Sequence, residues 1–322
     1  MPARVLITGI TGFAGSHLAE HLVRGGSVVH GLAFEEPPFP NLARVADAVR
    51  VHHGDITSLE DVRAALRGSE ADVVVHLAGQ AVPTLAARDP VGAVRVNVLG
   101  TAVVLAALSE RPDASCVLAS SADVYGTADR SPVNEDAPLR PDNPYAATKV
   151  ASEALARELG DRERRAVVIL RPTNQIGPRQ HPGLAASAFA KQIAEAEAGR
   201  AEPVVRHGSL DARRDFIDVR DMADAYARAA TLREPGTHTF NVGTGHPVKI
   251  EDILTTLIGL ARIPVRTEVD PERVRGGAAP VLALDATRFR ERTGWEPKIP
   301  LETSLRDLLD YWRAQVREGA QV

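Results

Sequence analysis

Apolar runs and amphipathic segments alternate along the first half of the chain. Short runs rich in β-branched and aliphatic residues predict buried strands at 4–8, 28–34, 49–52, 73–77, 115–119 and 166–170. Apolar residues at helical spacing predict a first helix beginning near Gly15 and further helices at 57–66, 89–108 and 145–159. Strands that are apolar on both faces and alternate with helices indicate a parallel sheet with helices on both faces, an α/β fold.

Three glycines follow the first strand and open the first helix. In such a unit Gly9 would permit the tight turn, Gly12 would let a pyrophosphate approach backbone N–H groups, and Gly15 would allow close helix–strand packing. The spacing is G-x-x-G-x-x-G rather than G-x-G-x-x-G, so the position after a strand supports the prediction more than the spacing does. These features predict a Rossmann-type dinucleotide-binding domain.

After about residue 173 the regular alternation ends. The pattern predicts strands at 215–219, 237–242 and 265–268 and helices at 221–232, 250–261 and 301–317. We therefore expect a dinucleotide-binding domain made of 1–172 with 215–245. A smaller α/β substrate-binding domain would comprise 173–214 with 246–322.

The composition is that of an ordinary soluble globular protein, with 322 residues, 44% of them hydrophobic and 25% charged. A net charge of −4 gives no indication of nucleic-acid or membrane-surface binding. The single cysteine, Cys116, excludes a disulfide framework and is expected to be a small buried residue, and the scattered histidines indicate no metal site. The N-terminus is predicted to lead directly into a strand, and we expect no signal peptide and no long apolar span. A cytoplasmic location is therefore expected.

Candidate chemistry lies where strands end. Tyr145 and Lys149 are four residues apart, which places them on one face of a helix. An ammonium group beside a phenol favours the phenolate, so Lys149 is expected to lower the pKa of Tyr145 and let it act as a general acid/base. Ser121, after the strand at 115–119, would share the reacting oxygen. Parallel sheets bind ligands at the carboxyl ends of their strands, which favours this reading over an exposed helix turn.

With these motifs, the chain resembles the extended short-chain dehydrogenase/reductase family that acts on nucleotide sugars, over nearly its whole length. The stretches that carry the resemblance are 8–15, 54–56, 76–79, 97–101, 120–126, 145–149, 171–174, 214–216 and 294–297. Within the family, 189–195, 208–221 and 308–313 resemble GDP-4-keto-6-deoxy-D-mannose reductases and, less closely, GDP-mannose 4,6-dehydratases. Dehydratases typically carry Glu where Asp123 stands, so elimination of water is disfavoured.

The resemblance implies a nucleotide-sugar 4-ketoreductase that reduces GDP-4-keto-6-deoxy-D-mannose to GDP-D-rhamnose with NAD(P)H. A nucleotide-sugar 4-epimerase or a GDP-mannose 4,6-dehydratase is the alternative among enzymes, and a non-catalytic dinucleotide-binding sensor is the alternative of another class. The intact set of Ser121, Tyr145 and Lys149 argues against a sensor. Glu35 and Glu36 follow the second strand and would repel a 2′-phosphate, which favours NAD slightly over NADP.

The resemblance also implies the site residues. Tyr145 would protonate the sugar oxygen, Lys149 would hold the nicotinamide ribose, and Ser121 would donate a hydrogen bond to the same oxygen. Cofactor contacts are implied for Gly9, Thr11, Gly12, Phe13, Ala14, Gly15, Asp55, Ile56, Leu77, Ala78, Gly79, Asn97, Tyr145 and Lys149. Substrate contacts are implied for Asp123, Asn174, Lys191, Arg213, Arg214 and Arg275.

Three of these assignments stay open at this point. Asn97 either contacts the cofactor or supports residues that do, Asp123 either binds sugar hydroxyls or ends a strand, and Lys191 lies either near the nucleotide or on a helix face. The helices at 89–108 and 145–159 carry more apolar residues than one buried face needs. In the family such a pair forms a four-helix bundle between two subunits, so a homodimer is expected.

Overall fold

The computed structural model describes residues 3–127, 131–273 and 281–319. Its strands are β1 (Arg4–Thr8), β2 (Val28–Ala33), β3 (Val49–His53), β4 (Val73–His76), β5 (Ser115–Ala119), β6 (Ala166–Pro172), β7 (Asn174–Ile176), β8 (Val204–His207), β9 (Arg213–Asp218), β10 (Gly236–Val242), β11 (Pro247–Lys249), β12 (Arg266–Val269) and β13 (Val281–Leu282). Its α-helices are α1 (Phe13–Arg24), α2 (Leu59–Ser69), α3 (Pro83–Arg88), α4 (Pro90–Ala93), α5 (Gly100–Leu108), α6 (Pro144–Glu163), α7 (Ala185–Glu197), α8 (Val219–Ala229), α9 (Ile250–Gly259), α10 (Thr287–Thr293) and α11 (Leu301–Glu318).

Seven parallel strands form the central sheet, in the order β3-β2-β1-β4-β5-β6-β10. Both faces are buried. Val5 and Ile7 of β1 belong to the core shared with α1 and α8, whereas Leu6 between them belongs to the core shared with α2, α5 and α6. Strands of this kind need apolar residues at every position, which is why their sequences read as continuous apolar runs. The predicted α/β fold class is confirmed.

A smaller α/β region lies beside this sheet. Strand β9 pairs with β7, β11 and β13, and β8 pairs with β12. Helices α7, α9 and α11 enclose an apolar core that includes Trp312. The strand predicted at 215–219 is therefore displaced and belongs to this second sheet, although 215–245 had been assigned to the first domain. The sequence of β9, RRDFID, lacks the continuous apolar run of the central strands, as expected for a strand that is not buried against helices on both faces.

The helix predicted at 89–108 is not a regular α-helix. Between α4 and α5 the chain forms a π-helical segment at Val94–Leu99. The span Pro90–Leu108 is long and apolar enough to cross a membrane by length and composition alone, and 44% of it is buried. This finding corrects the expectation that no long apolar span exists. It is weak evidence for a membrane, because core helices of soluble proteins meet the same criterion.

Side-chain caps set the starts of two helices, and the predicted burial of Cys116 is confirmed. Ser58 caps α2, because its Oγ accepts a hydrogen bond of 3.3 Å from the backbone N–H of Asp61. Cys116 is 1% exposed, and burial raises the pKa of its thiol to about 12. Helix α6 begins where Asn143 Oδ1 accepts a hydrogen bond from the backbone N–H of Ala146 at 2.9 Å, which fixes the turn that carries Tyr145.

Candidate active site

A cavity of about 800 Å³ opens at the carboxyl ends of the central strands. Its wall includes the turn after β1, the segments after β4, β5 and β6, and the first turns of α6 and α7. Ligands of open α/β sheets bind at this edge. Among the residues implied by the resemblance, those that line the cavity are Gly9, Thr11, Gly12, Phe13, Ala14, Gly15, Asp55, Ile56, Leu77, Ala78, Gly79, Ser121, Asp123, Tyr145, Lys149, Asn174 and Arg214.

The glycine turn is closely packed. Gly9 has a φ of +69°, and a Cβ there would lie 2.8 Å from the backbone of Ala78. A Cβ at Gly15 would lie 2.1 Å from the carbonyl oxygen of Gly9. Helix α1 begins beside the cavity with no side-chain cap and no acidic residue in its first turn. The turn therefore fits a pyrophosphate, which backbone N–H groups at a helix N-terminus bind.

The far end of the cavity carries an aromatic ring and two carboxylates. Phe34 is 69% exposed there, and Glu35 Oε2 accepts a hydrogen bond of 3.0 Å from Thr11 Oγ1. Asp55 Oδ1 accepts hydrogen bonds from the N–H and the hydroxyl of Thr57, both at 2.8 Å. The sequence drew attention to Glu35 but gave no sign of its contact with the glycine turn. Shape and polarity at this end fit the adenosine half of a dinucleotide.

Tyr145, Lys149 and Ser121 converge on the cavity wall. Lys149 Nζ lies 5.8 Å from the centroid of the Tyr145 ring and donates a hydrogen bond of 2.8 Å to the carbonyl oxygen of Ala119. The Ser121 hydroxyl is hydrogen-bonded to the Tyr145 phenol. Its oxygen also accepts a bond of 3.1 Å from the backbone N–H of Asp123. The three groups predicted from separate stretches are thus brought together.

The pKa expectation for Tyr145 is corrected. Burial raises the pKa of Tyr145 above its ordinary value, the charge of Asp123 raises it further, and the Ser121 hydrogen bond lowers it only in part. Burial also lowers the pKa of Lys149 to about 8, against the opposing charge of Glu153. Desolvation therefore outweighs the ammonium–phenol attraction that the sequence suggested. Among protein groups alone, the phenol is held in its protonated form.

A buried ion pair lies directly behind this set. Arg171 contacts Glu153 through Nε at 2.8 Å and Nη2 at 2.6 Å, and donates from Nη1 to the Tyr125 hydroxyl at 2.8 Å. Glu153 also accepts a hydrogen bond from Ser120. The pair connects α6 to β5 and β6, so it fixes the helix that carries Tyr145 and Lys149 against the ends of those strands.

Asn97 supports the site from outside the cavity. Its Oδ1 accepts from the backbone N–H of Gln80 at 2.7 Å, and its Nδ2 donates to Thr148 Oγ1 at 2.9 Å. Its carbonyl oxygen accepts from the hydroxyls of Thr101 at 2.6 Å and Ser152 at 2.9 Å. These bonds join the π-helical segment to α6. Of the two readings left open, the structure favours support over direct contact.

The residues implied for the substrate separate into two groups. Arg214 and Asp123 line the cavity close enough for the charge of Arg214 to lower the pKa of Asp123, which burial raises. Lys191 and Arg213 do not line it. Lys191 Nζ lies 4.0 Å from Glu195 and 5.3 Å from the centroid of a Trp312 ring, and Arg213 is exposed. For Lys191 this is the helix-face alternative of the two left open. Arg213 departs from the contact implied for it, because successive β9 side chains point to opposite faces.

Asn174 and three residues that were not predicted also line the cavity. Asn174 Nδ2 donates a bond of 3.2 Å to the carbonyl oxygen of Asp215 at the cavity wall. Arg275 lies outside the described residues. The sequence missed Gln175, Gln180 and Tyr226, which also line the cavity. The glutamines follow the end of β6 and were detectable by position, whereas Tyr226 reads as an ordinary apolar position of an amphipathic helix.

Comparisons with known proteins agree with this architecture. A family model described as GDP-mannose 4,6 dehydratase matches residues 6–308. GDP-6-deoxy-D-mannose reductase of Pseudomonas aeruginosa is 33% identical, over 99% of this chain and 100% of that protein. UDP-glucose 4-epimerase of Mycolicibacterium smegmatis is also 33% identical, over 96% of this chain and 98% of that protein.

Solved structures of similar proteins contain nicotinamide dinucleotides. RMD from Pseudomonas aeruginosa, complexed with NADPH, has a TM-score of 0.83 and 30% identity, covering 97% of this chain and 100% of that chain. Thermus thermophilus UDP-glucose 4-epimerase, complexed with NAD, has a TM-score of 0.83 and 29% identity, covering 96% of this chain and 99% of that chain. The chain therefore belongs to the GDP-mannose 4,6-dehydratase family, whose relatives are NAD(P)-dependent reductases, epimerases and dehydratases of nucleotide sugars.

Proposed function

We propose that the protein is a nucleotide-sugar 4-ketoreductase that converts GDP-4-keto-6-deoxy-D-mannose to GDP-D-rhamnose. The observation that carries the proposal is the convergence of Ser121, Tyr145 and Lys149 on a cavity that also contains the glycine turn. The identity to GDP-6-deoxy-D-mannose reductase supports the substrate class. Bound NAD(P)H would supply the hydride.

In this proposal the protein supplies the proton. Reduction of a ketone needs an acid at the carbonyl oxygen, and Tyr145 is a protonated phenol because burial raises its pKa. Ser121 would donate a second hydrogen bond to the same oxygen, where negative charge develops. The Lys149 ammonium would hold the nicotinamide ribose. Arg214 would bind the diphosphate through its planar guanidinium group.

A second candidate is the dehydratase reaction, and Asp123 is the reason. Its carboxyl lies in the cavity near Tyr145, and burial raises its pKa, so the site contains a second acid/base group. Asp123 is shorter than the Glu that the dehydratases typically carry, which favours reduction over elimination. A 4-epimerase is the remaining alternative and would show no net consumption of cofactor.

The three reactions are separated by what they consume. The protein is incubated with GDP-4-keto-6-deoxymannose and NADH or NADPH, and stoichiometric cofactor oxidation is the expected result. A ketone formed from GDP-mannose with catalytic cofactor would instead identify a dehydratase. We expect Tyr145→Phe to lower kcat by about 10²- to 10⁴-fold while the dinucleotide still binds, because the general acid is lost.

The matched control is Tyr311→Phe, on α11 and outside the cavity wall. It removes a phenol hydroxyl without touching the proposed site, so its kcat should equal that of the unmodified protein. Full turnover in Tyr145→Phe would contradict the catalytic assignment.

For the cofactor we propose a preference for NADH. The Thr11–Glu35 hydrogen bond fixes a carboxylate beside the glycine turn, where it would repel a 2′-phosphate. The related RMD was solved with NADPH, so the two cofactors are compared side by side in the same assay. A lower kcat/KM with NADH than with NADPH would reject this preference.

We further propose a homodimer in the cytoplasm. Val91, Val94 and Leu99 are 78%, 51% and 46% exposed on the apolar span 90–108. In the proposed dimer, the span 90–108 and α6 of one subunit would pack against the same two helices of the other subunit, which makes a four-helix bundle. The exposed apolar side chains would then be buried in the interface, which accounts for the apolar span without a membrane. The division into a dinucleotide-binding part (1–172 with 215–245) and a substrate-binding part (173–214 with 246–322) also remains a proposal, changed only in that residues 215–218 of β9 move to the second part.

A further inference from the structure

One polar side chain interrupts the apolar core of β4. The strand reads Val-Val-Val-His, and its histidine, His76, is 3% exposed and does not line the cavity. Its partner in register on β1 is Thr8, which is also fully buried. Burial of a polar group costs free energy unless the group is hydrogen-bonded, so a histidine here needs a reason that a fourth valine would not serve. The proposed reaction makes no use of this ring.

Both ring nitrogens of His76 are hydrogen-bonded to threonine hydroxyls. Nδ1 lies 2.7 Å from Thr8 Oγ1, and Nε2 lies 3.0 Å from Thr101 Oγ1. Burial, together with the positive charge of Lys149, lowers the pKa of His76 to about 3. The ring is therefore neutral near pH 7, so one of its nitrogens donates a hydrogen bond and the other accepts one.

The neighbouring bonds decide which nitrogen carries the hydrogen. Thr101 Oγ1 lies 2.6 Å from the carbonyl oxygen of Asn97, which can only accept, so the hydroxyl hydrogen of Thr101 points there. Nε2 of His76 then faces an oxygen with no hydrogen left to give, and is itself the donor. Nδ1 consequently accepts from the hydroxyl of Thr8, whose oxygen accepts from the backbone N–H of Ala78 at 3.2 Å. The hydrogen bonds therefore run in one direction, from Ala78 through His76 to Asn97.

The two ends of this hydrogen-bonded chain lie at the two halves of the site. Ala78 lines the cavity and packs against the glycine turn, where a Cβ on Gly9 would lie 2.8 Å from its backbone. At the other end, Nδ2 of Asn97 donates to Thr148 Oγ1 at 2.9 Å, near the start of α6. A buried path of hydrogen bonds thus joins the glycine turn to α6 without crossing the cavity.

We propose that His76 is a positioning residue that couples binding of a dinucleotide at the glycine turn to the placement of Tyr145 and Lys149 on α6. The ring acts through Thr8 and Thr101, because it holds their hydroxyls at a fixed separation. Hydrogen bonds in a buried network reinforce one another, so loss of the central member releases both ends. The inference rests on the proposed function only where turnover is the readout.

Substitutions that replace one ring nitrogen at a time test the direction of the chain. His76→Leu removes both hydrogen bonds and should lower kcat for the keto sugar by about 10- to 100-fold, because the catalytic groups are misplaced. The KM for the dinucleotide should stay nearly the same, because the cofactor contacts are kept. His76→Gln places an amide N–H near the position of Nε2 and should recover most of kcat. His76→Asn places its amide near Nδ1 and should not, and equal kcat in the two amide variants would contradict the role of Nε2.

His30→Leu is the matched control. His30 is a buried histidine on β2 of the same sheet, with Nδ1 3.0 Å from His52 Nε2, and it does not line the cavity. Its loss should leave kcat unchanged. Thr101→Val, which is nearly identical in shape, breaks the same chain one bond further along. It should lower kcat to the same extent as His76→Leu, and it carries the test if His76→Leu fails to fold.

Hydrogen–deuterium exchange tests the coupling without turnover. ADP carries the adenosine and pyrophosphate parts of the cofactor but no nicotinamide, so it would act on α6 only through the protein. We expect saturating ADP to slow exchange in the first half of α6 at least about 5-fold in the unmodified protein and in His76→Gln, as for a typical coupling between two sites. In His76→Leu exchange there should not change, with the ADP affinity in calorimetry equal for all three proteins.

Three results would overturn the inference. They are an α6 whose exchange ADP does not slow in the unmodified protein, a slowing that persists in His76→Leu, and full kcat in both His76→Leu and Thr101→Val. An unmodified protein that shows the expected slowing with ADP yet fails to reduce the keto sugar would reject the proposed function and leave this inference standing. The two failures are therefore distinguishable.

Discussion

Lys149 is a charged group that the fold has removed from water. Its pKa is lowered from 10.5 to about 8, so the folded protein releases this proton at a lower pH than the unfolded chain does. Between those values the unfolded state binds more protons, and this residue's contribution to stability therefore rises with pH. We expect Tm to increase more, or fall less, from pH 8 to pH 10 in the unmodified protein than in Lys149→Met. Identical pH profiles of Tm would show that the pKa of Lys149 is not lowered.

Arg171 and Glu153 form the buried ion pair behind the site, and each has 2% or less of its side chain exposed. Loss of one partner leaves the other charge buried and uncompensated. We expect Arg171→Leu to lower the free energy of unfolding by about 3–5 kcal/mol in chemical denaturation. Arg162→Leu is the control, because Arg162 lies on α6, the helix that carries Glu153, and forms a solvent-exposed ion pair with Glu158, so this change should alter the free energy of unfolding little. Equal effects of the two variants would contradict the role assigned to burial.

Site residues were predictable where local sequence determines geometry. The glycine turn and the Tyr145–Lys149 pair follow from spacing within one element, and Ser121 from its position at the end of a strand. The raised pKa of Tyr145 was not predictable, because it depends on burial by residues distant in sequence. The same holds for Lys191, whose helix face is decided by packing against Trp312.

At the scale of elements, the first turn of α1 packs so closely against the preceding glycine turn that there is no room for a side chain at Gly15. A methyl group there would meet a backbone carbonyl, which cannot rotate away. We expect Gly15→Ala to lower the free energy of unfolding by about 1–3 kcal/mol and to abolish dinucleotide binding, measured by denaturation and calorimetry.

Gly259→Ala is the control, because it ends α9 with no atom within 4 Å of the added Cβ. Alanine favours helices over glycine, so this change should be neutral or slightly stabilising. A loss of stability equal to that of Gly15→Ala would show that close packing is not the cause.

Periodicity predicted the strands and most of the long helices of the central sheet. It did not predict α7 or the short strands β7, β8, β11 and β13 of the second region, and it misplaced two further features. The π-helical segment was not predicted, because the spacing of apolar residues does not distinguish a helical turn with one extra residue from a regular α-helical turn. The sheet to which β9 belongs was not predicted, because the sequence of a strand does not specify which strands it pairs with. Both features depend on contacts across the chain, such as those of Asn97 with Gln80 and Thr148.

At the scale of the whole molecule, the outward face of the span 90–108 tests the proposed dimer. We expect Val94→Glu to give a monomer in light scattering coupled to size-exclusion chromatography, since a buried carboxylate at the interface would be uncompensated. Val269→Glu, on exposed β12, is the control and should remain dimeric. A monomeric unmodified protein would reject the homodimer, and a dimeric Val94→Glu would move the interface elsewhere.

The π-helical segment has a consequence for how this face came to point outward. One additional residue in a turn offsets everything before it from everything after it by about 100° around the axis. Val91 and Val94 precede or open the segment and face solvent, whereas Val104 follows it and is fully buried. Deletion of one residue within 94–99 would rotate the part of the helix before the segment relative to the part after it. Either the exposed valines or the buried Val104 would then face a different direction. The proposed subunit contact and the anchoring of α6 through Asn97 would thus depend on the same extra residue.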